Sequence, residues 1–98
     1  MTAKVRLVQA DGPTSIRVDA EITDEGDLLL SGQDLGAAPQ EAFGDSDYEY
    51  WLKIKAPFKD HLLLALMETL YSGNTSVVSE LKDYLYSKGI PCEFDSYA

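Results

Sequence analysis

Ser15-Ile16-Arg17-Val18-Asp19-Ala20-Glu21-Ile22-Thr23 is the stretch that decides the fold. Ile16, Val18, Ala20 and Ile22 fall on one side of an extended chain, and Arg17, Asp19, Glu21 and Thr23 fall on the other. A period of two with one apolar and one polar side describes a half-buried antiparallel strand. Working outward, Val5, Leu7 and Gln9 alternate with Lys4, Arg6 and Val8. This predicts a short preceding strand, with Asp11-Gly12-Pro13 as the turn. On the other side, Asp24-Glu25-Gly26-Asp27 reads as a hairpin loop, and Leu28 to Ser31 as a third strand. Gly32 to Gly44 holds three glycines and Pro39 and reads as a loop with one helical turn around Gln40 to Phe43. A fourth strand, Asp47 to Lys55, sets Tyr48, Tyr50, Leu52 and Ile54 against Asp47, Glu49, Trp51, Lys53 and Lys55.

Beyond Lys55 the period changes. From Lys59 to Tyr71, Leu62, Leu63, Leu66, Met67 and Leu70 share a broad helical face that Leu64 and Ala65 widen, which predicts a buried helix. Ser72-Gly73-Asn74 ends it. Thr75 or Ser76 caps a second helix, to about Lys88, with Val77, Val78, Leu81, Tyr84 and Leu85 inward and Gly89 beyond its end. Ile90 to Asp95 reads as a last short strand, at a sheet edge because of Pro91. Strands first and helices afterwards indicate an α+β domain. The expected architecture is one domain over residues 1–98: an antiparallel meander of four to five strands with both helices on one face.

Composition narrows the classes of function. With 98 residues, 45% hydrophobic and 26% charged, the chain is sized and patterned as a folded domain and lacks the signature of disorder. Cys92 is the only cysteine, which excludes an internal disulfide and a cysteine-cluster metal site. No charged-then-apolar leader pattern and no apolar run of membrane-spanning length is visible, so a cytoplasmic setting without membrane contact is expected. The formal charge is −9 and is unevenly placed: Asp19 to Glu49 holds ten acidic residues and no Lys or Arg. Such a field excludes nucleic acid as a natural partner, since phosphate binding needs clustered Lys and Arg.

Chemical motifs are scarce. Asp45, Asp47 and Glu49 are spaced as oxygen ligands could be, but an EF-hand counted from Asp45 has Tyr50 and Ala56 where Gly and Glu are required. A solvated acidic face is the ordinary alternative, and neither metal nor cofactor is expected. The same carboxylates lack the cleft and opposed environments of an acid–base pair. His61 lies near a helix start, and nothing in the sequence pairs it with a nucleophile. Gly32-Gln33-Asp34-Leu35-Gly36 lacks the Lys-Ser/Thr of a phosphate loop. Trp51 is the odd residue on a polar side: either the 32–44 loop covers it or it is an exposed anchor of the kind enriched at interfaces.

Ser31-Gly32-Gln33-Asp34-Leu35-Gly36 followed by Phe43-Gly44-Asp45-Ser46-Asp47-Tyr48-Glu49-Tyr50-Trp51 resembles a pair of segments in small bacterial proteins of unknown function, some of them similar to immunity proteins of toxin systems. The likeness covers roughly residues 27 to 55, with a loosely similar C-terminal helix and Ile-Pro ending, and carries over no functional residue. The resulting expectation is a small acidic module, monomeric or weakly dimeric, that binds a basic protein partner, with an immunity or inhibitor protein as its concrete form. Its candidate surface comprises Asp34, Phe43, Asp45, Asp47, Glu49 and Trp51. The alternative is a small enzyme or ligand-binding domain with Asp34, Asp47 and Glu49 around a pocket.

Overall fold

The computed structural model describes residues 3–97. Strands β1 (Lys4–Ala10), β2 (Thr14–Ile22) and β3 (Leu28–Gly36) are followed by helix α1 (Ala37–Phe43) and strand β4 (Asp47–Ile54). A 3-10 turn (Ala56–Phe58) then leads into helices α2 (Lys59–Tyr71) and α3 (Val77–Ser87). The fold is α+β, with a four-stranded antiparallel meander in the order β1-β2-β3-β4. The chain falls into two compact units, a sheet unit running to Asp60 and a helical unit from His61 onward.

Register assigns every side chain of the sheet to a face, because directly opposed residues point the same way. Ile16, Val18, Ala20 and Ile22 pair with Asp34, Gly32, Leu30 and Leu28, which in turn pair with Tyr48, Tyr50, Leu52 and Ile54. These form the apolar face. The polar face carries Arg17, Asp19 and Glu21 on β2, Ser31 and Gln33 on β3, and Asp47, Glu49, Trp51 and Lys53 on β4. β1 breaks the simple alternation: Arg6 lies opposite Asp19 and Val8 opposite Val18, so Leu7 is the extra residue of a β-bulge. The bulge moves Val8 and Ala10 onto Val5's face and Gln9 onto Arg6's. The expected grouping of Gln9 with Val5 is thereby corrected.

β3 runs five residues further than its composition suggests, through Gly32 and Gly36. Gly32 is buried opposite Tyr50, whose ring lies where a Cβ would be. An aromatic ring over a glycine is a recognised way to fill the gap in a strand. Gly36 has φ 124° and ψ −137°, a conformation open to glycine alone, and ends β3 while starting α1. Its N–H still donates to Ser46 O at 2.8 Å, while Ala37 N–H turns to Pro13 O at 3.0 Å. Gly36 has no side chain to cap α1. Thr14 Oγ1 does so from β2, accepting the Ala38 N–H at 2.9 Å. α1 packs against β2, β3 and β4, and its Pro39 is buried.

Asp27 is the one buried charged group among the described residues, 3% exposed. Its carboxylate accepts the Ala56 N–H at 2.8 Å and the Lys55 ammonium at 3.2 Å, tying the β2–β3 hairpin to the chain leaving β4. The Ala56 N–H, helped by Lys55 and opposed by burial, holds this carboxyl below the ordinary aspartate range. A depressed folded pKa contributes stability that is full above the unfolded value of about 4 and is lost as pH falls through the folded value. Wild type is therefore expected to exceed Asp27→Asn in urea midpoint near neutrality, and the gap should close in acid. A gap independent of pH would contradict this role.

In the helical unit, Asn74 organises the start of α3: its Oδ1 accepts the Ser76 N–H at 2.9 Å and its Nδ2 donates to Glu80 at 2.7 Å. Ser76 holds the cap position without a side-chain hydrogen bond. The far end closes on Gly89 (φ 67°), with Gly89 N–H on Tyr86 O and Ile90 N–H on Leu85 O. That pair of bonds is the Schellman arrangement. Residues 90–97 form no strand, which corrects the expectation of a fifth. Instead Cys92 and Phe94 line a cavity of about 250 Å³ with Met67, Leu81 and Leu85, and Lys82 Nζ sits 4.4 Å from the Phe94 ring centre.

Burial departs from the expected inward set. Leu66 is 48% and Leu70 69% exposed, and neither α2 nor α3 contains a buried residue. The apolar residues of α2, from Leu62 round to Leu64, spread over more than half its circumference, wider than one neighbouring helix covers. On the sheet, Ile22 and Leu52 are 44% and 60% exposed. Short α1 packs near the Gly36 end of β3 and does not extend over them. Among the described residues no helix is long and apolar enough to cross a membrane.

Candidate functional site

The ten acids between Asp19 and Glu49 do not form one field. Asp19 belongs with the cations of β1: Arg6 Nε donates to it at 2.6 Å, and Lys4 Nζ lies at 4.0 Å. The Arg6 hydrogen bond leads the lowering of its pKa. Asp27 is committed to Ala56 and Lys55. Asp24 and Glu25 occupy the β2–β3 turn, at the Leu28 end of β3. Asp47 faces Leu35 near the other end, about 23 Å away at the usual strand rise.

What remains lies toward the α1–β4 end of the sheet unit. Glu41, Phe43, Asp45, Asp47 and Glu49 are all exposed. Among the described residues, no cation lies within 4 Å of any of the four acids. Asp45 sits in the turn after α1, where Gly44 (φ 75°) caps the helix, and its Oδ1 accepts the Asp47 N–H at 3.0 Å. Gln33 stands opposite Glu49 on the polar face. Its amide donates to Asp47 at 3.1 Å and Glu49 at 3.4 Å, holding the two carboxylates together without neutralising them.

The candidate residues divide between faces. Asp47, Glu49 and Trp51 share the polar face. Asp34 lies on the apolar face, where it accepts the Tyr50 hydroxyl at 2.8 Å. That bond, with burial second, raises the Tyr50 phenol above its usual range. Phe43 also leaves the polar face: its ring stacks on Tyr48 at 4.6 Å, and Tyr48 in turn approaches Tyr50 at 5.3 Å. Asp34 therefore does not converge with Asp47 and Glu49 on one pocket. Trp51 is 64% exposed, with the 32–44 segment forming β3 and α1 instead of covering it.

An open groove of about 340 Å³ crosses the polar face beside Trp51 and Glu49, and its other wall holds Arg6, Arg17 and Asp19. The two arginines lie outside the surface expected from the sequence. Arg17 was detectable, since it shares parity with Asp19 on β2; Arg6 joins only through pairing. The groove is wide and open; Ser31 is the one hydroxyl on its walls, and no histidine lines it to activate that hydroxyl. Among the described residues no group of three or more His, Cys, Asp or Glu is placed to hold a metal ion. In comparisons with known proteins, no family model, curated protein or solved structure matches the chain.

Proposed function

We propose that this is a small acidic binding module whose working surface is the α1–β4 end of the sheet unit, and that its partner is a basic protein. An immunity or inhibitor protein is the concrete form, in keeping with the resemblance of residues 27 to 55 to small bacterial proteins of unknown function, some of them similar to immunity proteins. The observation that supports the reading best is the exposed group of Asp45, Asp47 and Glu49, none of which has a cation within 4 Å among the described residues. Phe43 and Trp51 flank it at 62% and 64% exposure. Unpaired carboxylates steer a basic partner and set orientation, while large aromatic side chains supply the energy of the bound state.

Capture of a partner on the immobilised protein, followed by binding kinetics at two salt concentrations, tests this. Neutralising Asp45, Asp47 and Glu49 together is expected to slow association about tenfold or more at low salt. The difference should shrink as the Debye length falls to about 8 Å near physiological ionic strength. Trp51→Ala is expected mainly to speed dissociation. A partner that binds the triple variant as fast as wild type at both salts would overturn the assignment.

A further inference from the structure

The two edges of the meander are unlike. β1 carries the Leu7 bulge together with Lys4 and Arg6, devices that blunt an edge against pairing. β4 has no bulge and no proline over Asp47–Ile54 and is exposed along most of its length. The Gly36 N–H to Ser46 O bond fixes the phase of the β3–β4 ladder. Residues alternate in antiparallel pairing, so Tyr48, Tyr50, Leu52 and Ile54 direct both backbone groups at β3. The N–H and C=O of Glu49, Trp51 and Lys53 point outward from the edge. The Asp47 N–H also points outward, and Asp45 has already taken it.

The side chains along that edge are self-complementary. Reading outward from Trp51, Tyr50 is matched by Leu52, Glu49 by Lys53, Tyr48 by Ile54 and Asp47 by Lys55. An antiparallel copy of the strand centred on Trp51 thus meets apolar with apolar on one face and acid with base on the other. Phase agrees as well. Glu49 opposite Lys53, Trp51 opposite Trp51 and Lys53 opposite Glu49 are all outward-pointing residues, and each such pair exchanges two backbone hydrogen bonds. Lys55 is already engaged by Asp27, so the pairing is strongest over residues 49–53.

We infer that β4 is the docking edge for a second copy of this chain, paired antiparallel about a twofold axis at Trp51 to give one continuous eight-stranded sheet. This goes beyond the acidic-module reading and does not rest on it, because it concerns the chain alone and leaves Glu41, Phe43 and Asp45 outside the pairing. Glu49 and Trp51 serve both surfaces, so a partner that uses them competes with the second copy.

Sedimentation equilibrium of the purified chain tests the inference. Wild type is expected to dimerise. Glu49→Lys places like charges opposite Lys53 twice per dimer, and Lys53→Glu does the same opposite Glu49. Each single variant should associate about tenfold or more weakly, since like charges directly opposed destabilise a ladder. An equimolar mixture of the two variants should restore association as a heterodimer. There the introduced lysine of one chain meets the introduced glutamate of the other, and the native Lys53 of the first meets the native Glu49 of the second. The double variant should restore it alone. Both single variants remain net acidic, so general attraction does not explain recovery in the mixture. A wild-type chain still monomeric at about 1 mM overturns the inference. So do single variants that dimerise like wild type, or a mixture that does not recover.

Discussion

Gly36→Ala is expected to be the most damaging single-methyl change in the sheet unit. Two independent penalties coincide there. The backbone at φ 124° and ψ −137° is a glycine-only conformation, which costs a side chain about 1–3 kcal/mol. The added Cβ also overlaps the Pro13 carbonyl oxygen, a backbone atom fixed by its hydrogen bond from Ala37. Overpacking of that kind costs about 1–3 kcal/mol more. Against a net stability of about 5–15 kcal/mol for a small domain, the sum removes much of the folded state's margin. Urea denaturation monitored by circular dichroism reads it directly. Gly44→Ala is the control: its φ of 75° is left-handed too, but nothing lies within 4 Å of a Cβ there. That change should cost only the conformational part, about 1–2 kcal/mol. Equal losses at the two positions would show that the Pro13 contact contributes nothing.

Gly32→Ala carries the second large effect, and its sign depends on Tyr50. In wild type the new Cβ occupies the space of the Tyr50 ring. The ring must swing away, at about 1–3 kcal/mol for overpacking. It also releases the hydroxyl bond to Asp34, worth about 1 kcal/mol more. In a Tyr50→Ala background the ring is gone. There Gly32→Ala should stabilise, because alanine in a strand interior gains about 0.5–1 kcal/mol over glycine. A double-mutant cycle of urea midpoints resolves this reversal, and strict additivity would refute the ring-over-glycine account.

These two glycines also show where reading the chain stops. The alternation of Ile16, Val18, Ala20 and Ile22 was sufficient for β2, and the change of period after Lys55 was sufficient for α2 and α3. Gly32-Gln33-Asp34-Leu35-Gly36 read as a loop because glycine is a loop former in isolation. Its glycines are instead demanded by Tyr50 and Pro13, residues distant in sequence. The Leu7 bulge is invisible for a similar reason: a strand reveals an extra residue only against its partner. Parity within β4 placed Asp47, Glu49 and Trp51 on one side, as observed. Parity says nothing between strands, so the separation of Asp34 from Asp47 and Glu49 needed the β3–β4 register. The exposure of Trp51 followed from the fate of residues 32–44.

The bulge in β1 has a consequence for how far association runs. A sheet with two open edges is a monomer for fibres, since each copy added leaves a fresh edge for the next. Here twofold pairing through β4 consumes the one regular edge of each chain. The eight-stranded product is bounded on both sides by β1, where the irregularity at Leu7 throws the outward hydrogen bonds out of step and Lys4 and Arg6 repel their like. Growth therefore terminates at two copies. One residue inserted into a seven-residue strand separates a closed particle from an endless one.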